Sequence, residues 1–311
     1  MTTPTSGERA DPSRITLGTA PDSWGIWFPD DPHQVPWQRY LDEMVQAGYT
    51  WTELGPYGYL PTDAGRLRGE LDSRGISLSG GAVFAGLHRG AEALDQAIDE
   101  CGQEARLLTA LEARYLVLLP EQYTDMHGGD VLEASRLEPE QWRDLTTGMS
   151  TLGRTLADEY GVSLVFHSHA DSHVGTQEQI ERFLADTDPA TVSLCLDTGH
   201  VSYYEGDNVA IIRNHPDRID YVHLKQVDPE VRKRVRDEVL SFAEAVRLGA
   251  MVEPPQGDPP MPPLLEALAD LNRDLFAIVE QDLYPCDPDV PLPIATRTRQ
   301  YFNGLGVGPG P

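Results

Sequence analysis

"VSLVFHSH" (residues 162–169) carries β-branched and aromatic residues up to Phe166 and then turns polar on two histidines spaced by two. Side chains alternate along a strand, so His167 and His169 would share a face. The same design recurs along the chain. Short apolar runs stand at "ITLGTA" (15–20), "YTWTELG" (49–55), "ISLSGGAVF" (76–84), "YLVLLP" (115–120), "VSLCLD" (192–197), "IDYVHLK" (219–225) and "LFAIVEQ" (275–281). Near-continuous apolar runs that end in polar, Gly or Pro residues read as strands buried on both faces, the habit of parallel sheets.

Helical patterns fill the intervals, at 37–48, 64–75, 91–113, 141–161, 176–187, 208–216, 229–249, 261–272 and 290–306. Gly48, Gly75 and Gly161 sit where a helix-terminating glycine belongs. Thr176 and Gln179 form a capping box. Eight strands, each followed by helical material, predict an α/β fold: a (β/α)8 TIM barrel in a single domain over residues 15–303. The polar residues 1–14 read as a disordered N-terminal arm, and "GLGVGPGP" (304–311) as a flexible tail. A doubly wound sheet would usually carry a glycine-rich phosphate loop after its first strand; "APDSWGIWFPDDP" has none.

The chain has 311 residues with a formal charge of −26, from 24 Lys+Arg against 50 Asp+Glu. That balance argues against nucleic acid and anionic membranes as partners. Cys101, Cys195 and Cys286 are too few and too scattered for a disulfide framework or a CxxC metal motif. A reduced, cytoplasmic setting is the simplest expectation. The N-terminus lacks the apolar core of a secretory signal, and no window approaches the roughly 18 apolar residues of a membrane span.

Barrel chemistry sits at the C-terminal strand ends. Those ends carry Asp22 and Trp24, Glu53, His167 and His169, Asp197 with His200, His223 with Lys225, and Glu280 with Asp282. His167, Asp197, His223 and Glu280 close four successive strands. Two imidazoles and two carboxylates form a mixed site suited to one divalent metal, Mn²⁺ first, with Co²⁺, Fe²⁺ or Zn²⁺ as alternatives. A single histidine at a strand end is ordinarily a hydrogen-bonded core residue; four polar ends at equivalent depth are not an accident of packing. Trp24, Trp27 and Phe28 fit either core packing or the wall of a ring-shaped substrate's pocket. His173 reads as a supporting loop residue and His215 as a surface one.

"FHSHADSH", "LDTGHVSYYEGDN", "RIDYVHLKQVDP" and "IVEQD", in this order, resemble the xylose-isomerase-like TIM-barrel superfamily of sugar isomerases, epimerases and dehydratases, nearest its myo-inosose dehydratase branch. The resemblance implies metal ligation by Asp197, His223 and Glu280. It also implies ligation by His167, where the epimerases keep a glutamate. Its implied catalytic set is His169, Lys225 and Glu280, with Trp24, Glu53, His200 and Lys225 binding substrate. The superfamily's acid after "HLK" is Gln226 here, and the first-strand loop departs too, both at the substrate rim.

The chemistry so implied is proton removal beside a carbonyl of a keto-cyclitol or keto-sugar, such as 2-keto-myo-inositol, through an enolate. His169, with an unperturbed pKa of roughly 6.5, would act as base and then as acid for the departing hydroxide. Dehydration by a lyase is the leading expectation. Isomerisation or epimerisation by the same chemistry is the alternative, as is the catalytic subunit of a C-glycoside-cleaving 3-keto-glycoside lyase with a small partner subunit. A homodimer or homotetramer fits the relatives. A non-catalytic sugar-binding barrel would need no tightly held ion, and a barrel endonuclease would need a basic groove.

Overall fold

The computed structural model describes residues 11–308. Eight parallel strands close a barrel: β1 (Ile15–Thr19), β2 (Trp51–Pro56), β3 (Ser77–Ala85), β4 (Tyr115–Pro120), β5 (Ser163–His167), β6 (Ser193–Asp197), β7 (Ile219–Leu224) and β8 (Leu275–Val279). Each pairs with the next, and β8 returns to β1. All eight runs named from the sequence are these strands, displaced by no more than two residues at an end.

The helices are α1 (Trp37–Gln46), α2 (Ala64–Asp72), α3 (Ala91–Ala110), α4 (Pro139–Tyr160), α5 (Gln177–Asp186), α6 (Thr198–Tyr203), α7 (Asn208–Asn214), α8 (Pro229–Glu238), α9 (Phe242–Arg247), α10 (Met261–Ala269) and α11 (Pro291–Gly304). Gly48, Gly75 and Gly161 have φ of 96°, 69° and 66°, the left-handed conformation a helix stop needs. Thr176 and Gln179 make the reciprocal capping box at α5.

One expected helix is two. The pattern over 229–249 breaks at Val239, which takes φ 55°, and Ser241 then caps α9 through a box with Glu244. A short ribbon, Gln226–Val227 against Met251–Val252, clips the ends of this insertion together. The break lets Phe242 turn inward, and its amide donates to Asp171 Oδ2 at 2.7 Å. Helix α6 has only six residues and no apolar period that marks it in the sequence.

Two core layers result. Strand faces turned outward pack against the helices. Strand faces turned inward fill the barrel with Val117, Val165, Cys195, Tyr221 and Ile278. Above that plug the inward positions become His167, Asp197, His223 and Glu280. The ends of the chain are also anchored where they are described. Arg14 pairs with Asp274 at 2.9 Å. Val307 is buried, and Arg299 donates to the Gly308 carbonyl at 2.9 Å. Residues 304–308 therefore pack on the barrel, against the expectation of a loose tail; residues 1–10 and 309–311 lie outside the described residues.

Candidate metal centre and active site

The barrel's strand stagger brings the four polar ends to one point. His223 pairs in register with Asp197 on β6 and with Ile278 on β8, so Glu280 follows two residues above that level. One ligand-capable atom from each of His167, Asp197, His223 and Glu280 lies within 4.8 Å of all the others. His167 Nε2 is 3.1 Å from Asp197 Oδ2, and His223 Nδ1 is 2.8 Å from Glu280 Oε2. All four are buried.

Tautomers follow from the partners. His223 Nε2 donates to Glu53 Oε1 at 2.7 Å, so Nδ1 is free to offer a lone pair. That atom has no hydrogen-bond partner although two carboxylates face it. A lone pair turned toward anionic oxygens is repulsive unless a positive charge stands between them. The pKa shifts show the same demand. Burial works against a His223 cation, yet Cys195, Glu280 and Glu53 outweigh it and hold the imidazole well above its ordinary range. This donor set therefore fits a divalent cation, and its two nitrogens disfavour Mg²⁺ and Ca²⁺.

Lys225 is the one cation set beside this cluster among the described residues. Its Nζ is 3.1 Å from Glu280 and from Asp282, and 3.5 Å from Asp197 and from Asp22. Burial opposes its charge, but those four acids raise its pKa well above the usual value. In return, Glu280 falls to about 2 despite its burial, drawn down by His223 and Lys225. Burial and the neighbouring Glu280 push Asp22 the other way, well above the carboxylate range. Asp22 and Asp282 thus belong to the charge network around Lys225.

His169 stands beside the cluster, its ring centre 5.6 Å from that of His167. Its Nδ1 donates to the Ala170 carbonyl at 2.7 Å, leaving Nε2 as an unprotonated acceptor. The expected pKa near 6.5 is not what the fold provides. Burial, with His167 and Lys225 adding, lowers it to about 3, so the imidazole is neutral at ordinary pH. His200 is not in the cavity wall. It stacks behind His169 at 3.9 Å and accepts from the Ala170 amide at 3.1 Å, and Phe242 closes the stack. Nor does Trp24 face substrate: its indole donates to Glu43 at 2.8 Å and packs edge-on to Tyr40 in the outer core. Glu53 and Lys225 do line the cavity.

The cavity over this centre measures about 620 Å³. Trp27, Phe28, Phe84, Met126 and Phe242 form its outer wall, and Phe28 stacks on His127 at 4.3 Å across the mouth. Of the three aromatic residues of the first loop, Trp27 and Phe28 are wall and Trp24 is core. Sequence reasoning did not single out Phe84, Met126, Phe242 or Glu104. For Glu104 there was a signal: an acid in register with Ala97, Cys101 and Leu108 on the apolar stripe of α3.

A second group, His88, Glu133 and His173, also has ligand-capable atoms within 4.8 Å of one another. Here the atoms are already paired. His88 Nε2 meets Glu133 Oε1 at 3.1 Å, His173 Nε2 donates to the Ala134 carbonyl at 3.0 Å, and Arg89 reaches Glu133 at 3.3 Å. The group braces three loops.

Residues 41–297 match the family model described as xylose isomerase-like TIM barrel. The inosose dehydratase of Geobacillus thermodenitrificans (strain NG80-2) is 30% identical over 296 residues, covering 94% of this chain and 97% of that one. Among solved structures, the IolI protein with a bound zinc atom superposes with a TM-score of 0.68 at 17% identity, over 93% of this chain and 96% of that one. L-ribulose 3-epimerase gives 0.67 at 17% identity, over 94% of each. This chain belongs to the xylose isomerase-like TIM barrel family, and it is an enzyme.

Proposed function

We propose that this member of the family is a metal-dependent hydro-lyase that removes water from a keto-cyclitol, with 2-keto-myo-inositol as its substrate. The observation that carries the reading is the fixed tautomer of His169: one bare imidazole nitrogen beside a metal cluster where Glu53 and Glu280 are already held by His223 and Lys225. The name of the inosose dehydratase relative supports the substrate class.

His167, Asp197, His223 and Glu280 would hold the ion, and Mn²⁺ or Co²⁺ suits that donor set. When bound, it would supply Lewis acidity toward the substrate's carbonyl and adjacent hydroxyl oxygens. Glu53 keeps His223 in the tautomer that ligation needs, through the 2.7 Å hydrogen bond to Nε2. His169 Nε2 accepts the proton from the carbon beside the carbonyl, and Ala170 holds the ring in place through Nδ1. The imidazolium so formed then returns its proton to the departing hydroxide. Lys225 remains a fixed positive charge beside the developing oxyanion. Epimerisation needs a base on each face of the substrate carbon. Here Glu280 is occupied by His223 and Lys225, and Glu53 by His223.

The test is incubation of the Mn²⁺-loaded protein with 2-keto-myo-inositol, followed by ultraviolet absorbance. Appearance of an α,β-unsaturated ketone is expected. Uptake of solvent deuterium with no new absorbance would assign the enzyme to isomerisation or epimerisation instead.

A further inference from the structure

The last residue pair of the β6–β7 ladder is Asp197 with His223. One step further β6 has ended, and the chain turns into α6. Lys225, two residues above that pair, has lost the strand that would meet its amide and carbonyl. It is buried, so neither group can turn to water instead. One side chain serves both. Thr198 Oγ1 accepts from the Lys225 amide at 2.9 Å and donates to the Lys225 carbonyl at 2.8 Å. The amide and carbonyl of one strand residue face the same neighbour, so a single hydroxyl, donor and acceptor at once, replaces the missing strand.

The next residue shapes the side chain. A Cβ on Gly199 would collide with the Cβ of Lys225. Only glycine lets the first turn of α6 lie so close to the root of that side chain. The far end is held as well, with Nζ 3.1 Å from Glu280 and from Asp282. Asn208 fastens the turn from the outside: its Nδ2 donates to the Thr198 carbonyl at 3.1 Å and to Ser202 Oγ at 3.0 Å. Thr198, Gly199 and Asn208 do not line the cavity, and none belongs to the ligand cluster.

We propose that Thr198 is a positioning residue for the reaction: its hydroxyl fixes the height at which Lys225 presents its positive charge to the oxygen of the reacting carbonyl, and Gly199 fixes the direction of that side chain. Neither touches substrate; both act through Lys225. Electrostatic stabilisation depends on groups fixed where the charge develops, and a displacement of about 1 Å can cost about 10²-fold in rate. Without the hydroxyl, the Lys225 amide and carbonyl would be left unpaired in the interior, and the local backbone would shift toward other partners. This inference rests on the keto-polyol reading above, which gives Lys225 its task.

The experiment compares Mn²⁺-loaded wild type with Thr198→Val, Thr198→Ser, Lys225→Met and the double variant of Thr198→Val with Lys225→Met. Thr198→Val keeps the shape and removes the hydroxyl. It should retain the metal and hold KM within about threefold, while kcat falls by about 10–100-fold. Thr198→Ser, which keeps the hydroxyl, should stay within about threefold of wild type. In the Lys225→Met background, Thr198→Val should lower kcat by less than about twofold, because the group it positions is gone. Unchanged kcat in Thr198→Val, or an equal loss in both backgrounds, overturns the inference. If Thr198→Val does not fold, Thr198→Cys, which keeps only a weak donor, takes its place in the same comparison. Wild type without turnover sinks the keto-polyol reading instead; there, or where Lys225→Met is too slow to measure, lysine NMR decides. Lys225 and Lys233 are the only lysines of the chain, and Lys233 is exposed on α8 beside Asp237. Zn²⁺-loaded protein carrying ¹³C at lysine Cε therefore gives one signal from each. Thr198→Val should displace the Lys225 signal, Thr198→Ser should return it, and the Lys233 signal should stay in place throughout. An unmoved Lys225 signal in Thr198→Val overturns the inference.

Discussion

Two clusters of histidine and acid sit at the same end of this barrel, and each gathers its ligand-capable atoms within 4.8 Å. In the group of His88, Glu133 and His173, polar atoms are met by a backbone carbonyl, a guanidinium and one another. In the group of His167, Asp197, His223 and Glu280, an imidazole nitrogen faces carboxylates without closing a hydrogen bond, and a proton or a cation must stand between them. Both combine two imidazoles with carboxylates over the same span, although one group has two acids among four residues and the other a single acid among three. What separates them is whether the hydrogen-bond inventory closes, and a cluster with surplus acceptors is the one that calls for a cation.

The sharpest way to break that comparison is Asp197→Ala. It should abolish stoichiometric metal, measured by elemental analysis, and lower turnover by roughly 10³-fold or more; full metal retention would remove the proposed site. His169→Ala should keep the metal and lower kcat by about 10²–10⁴-fold, as expected of a lost proton acceptor. Glu53→Gln should weaken metal affinity by about 10–100-fold, read by competition with a chelating dye, because its role is to orient His223. In the braced cluster, His88→Ala should leave metal content untouched and cost about 1–3 kcal/mol in denaturant unfolding, having unpaired its buried neighbours. A change in bound metal there would erase the distinction.

The smallest effect is one of pH, and it too falls on the braced cluster. Burial holds His173 below its ordinary pKa, with His88 and Arg89 adding, while Ala134 and Glu133 oppose. The unfolded chain therefore binds a proton more readily than the native one. This group's contribution to stability is complete above the unfolded pKa of roughly 6.5 and is lost as the pH falls through it. His173→Asn should flatten that part of a stability–pH curve measured in denaturant.

The strands were legible because burial on both faces leaves unbroken apolar runs, and the polar stop at the end of each run marked the centre. His167, Asp197, His223 and Glu280 share a point in space because strand stagger is a property of the closed barrel. Local sequence decides only that each lies at an end. Trp24 and His200 show the limit of that reasoning. Both follow strand ends, but the chain turns immediately after them, and the turn aims one at α1 and tucks the other behind His169. The split of α8 from α9 was hidden because Val239 looks like any helix residue, and only the backbone shows its positive φ. Glu104 was visible as an acid out of pattern; the room for its carboxyl is left by Gly81, on another element far away in the chain.

Asp197 is engaged through both of its carboxylate oxygens. Its Oδ1 accepts from the His200 amide at 2.8 Å and starts α6, while Oδ2 faces the proposed ion. A carboxylate gripped on one oxygen cannot swing when the other is loaded or emptied. The ion and the first turn of α6 would therefore share a mechanical anchor, and His200 carries that anchor to the ring it stacks on. Stripping the metal should then register as faster amide exchange across residues 198–203, so that a short helix reports the occupancy of a site to which it contributes no ligand.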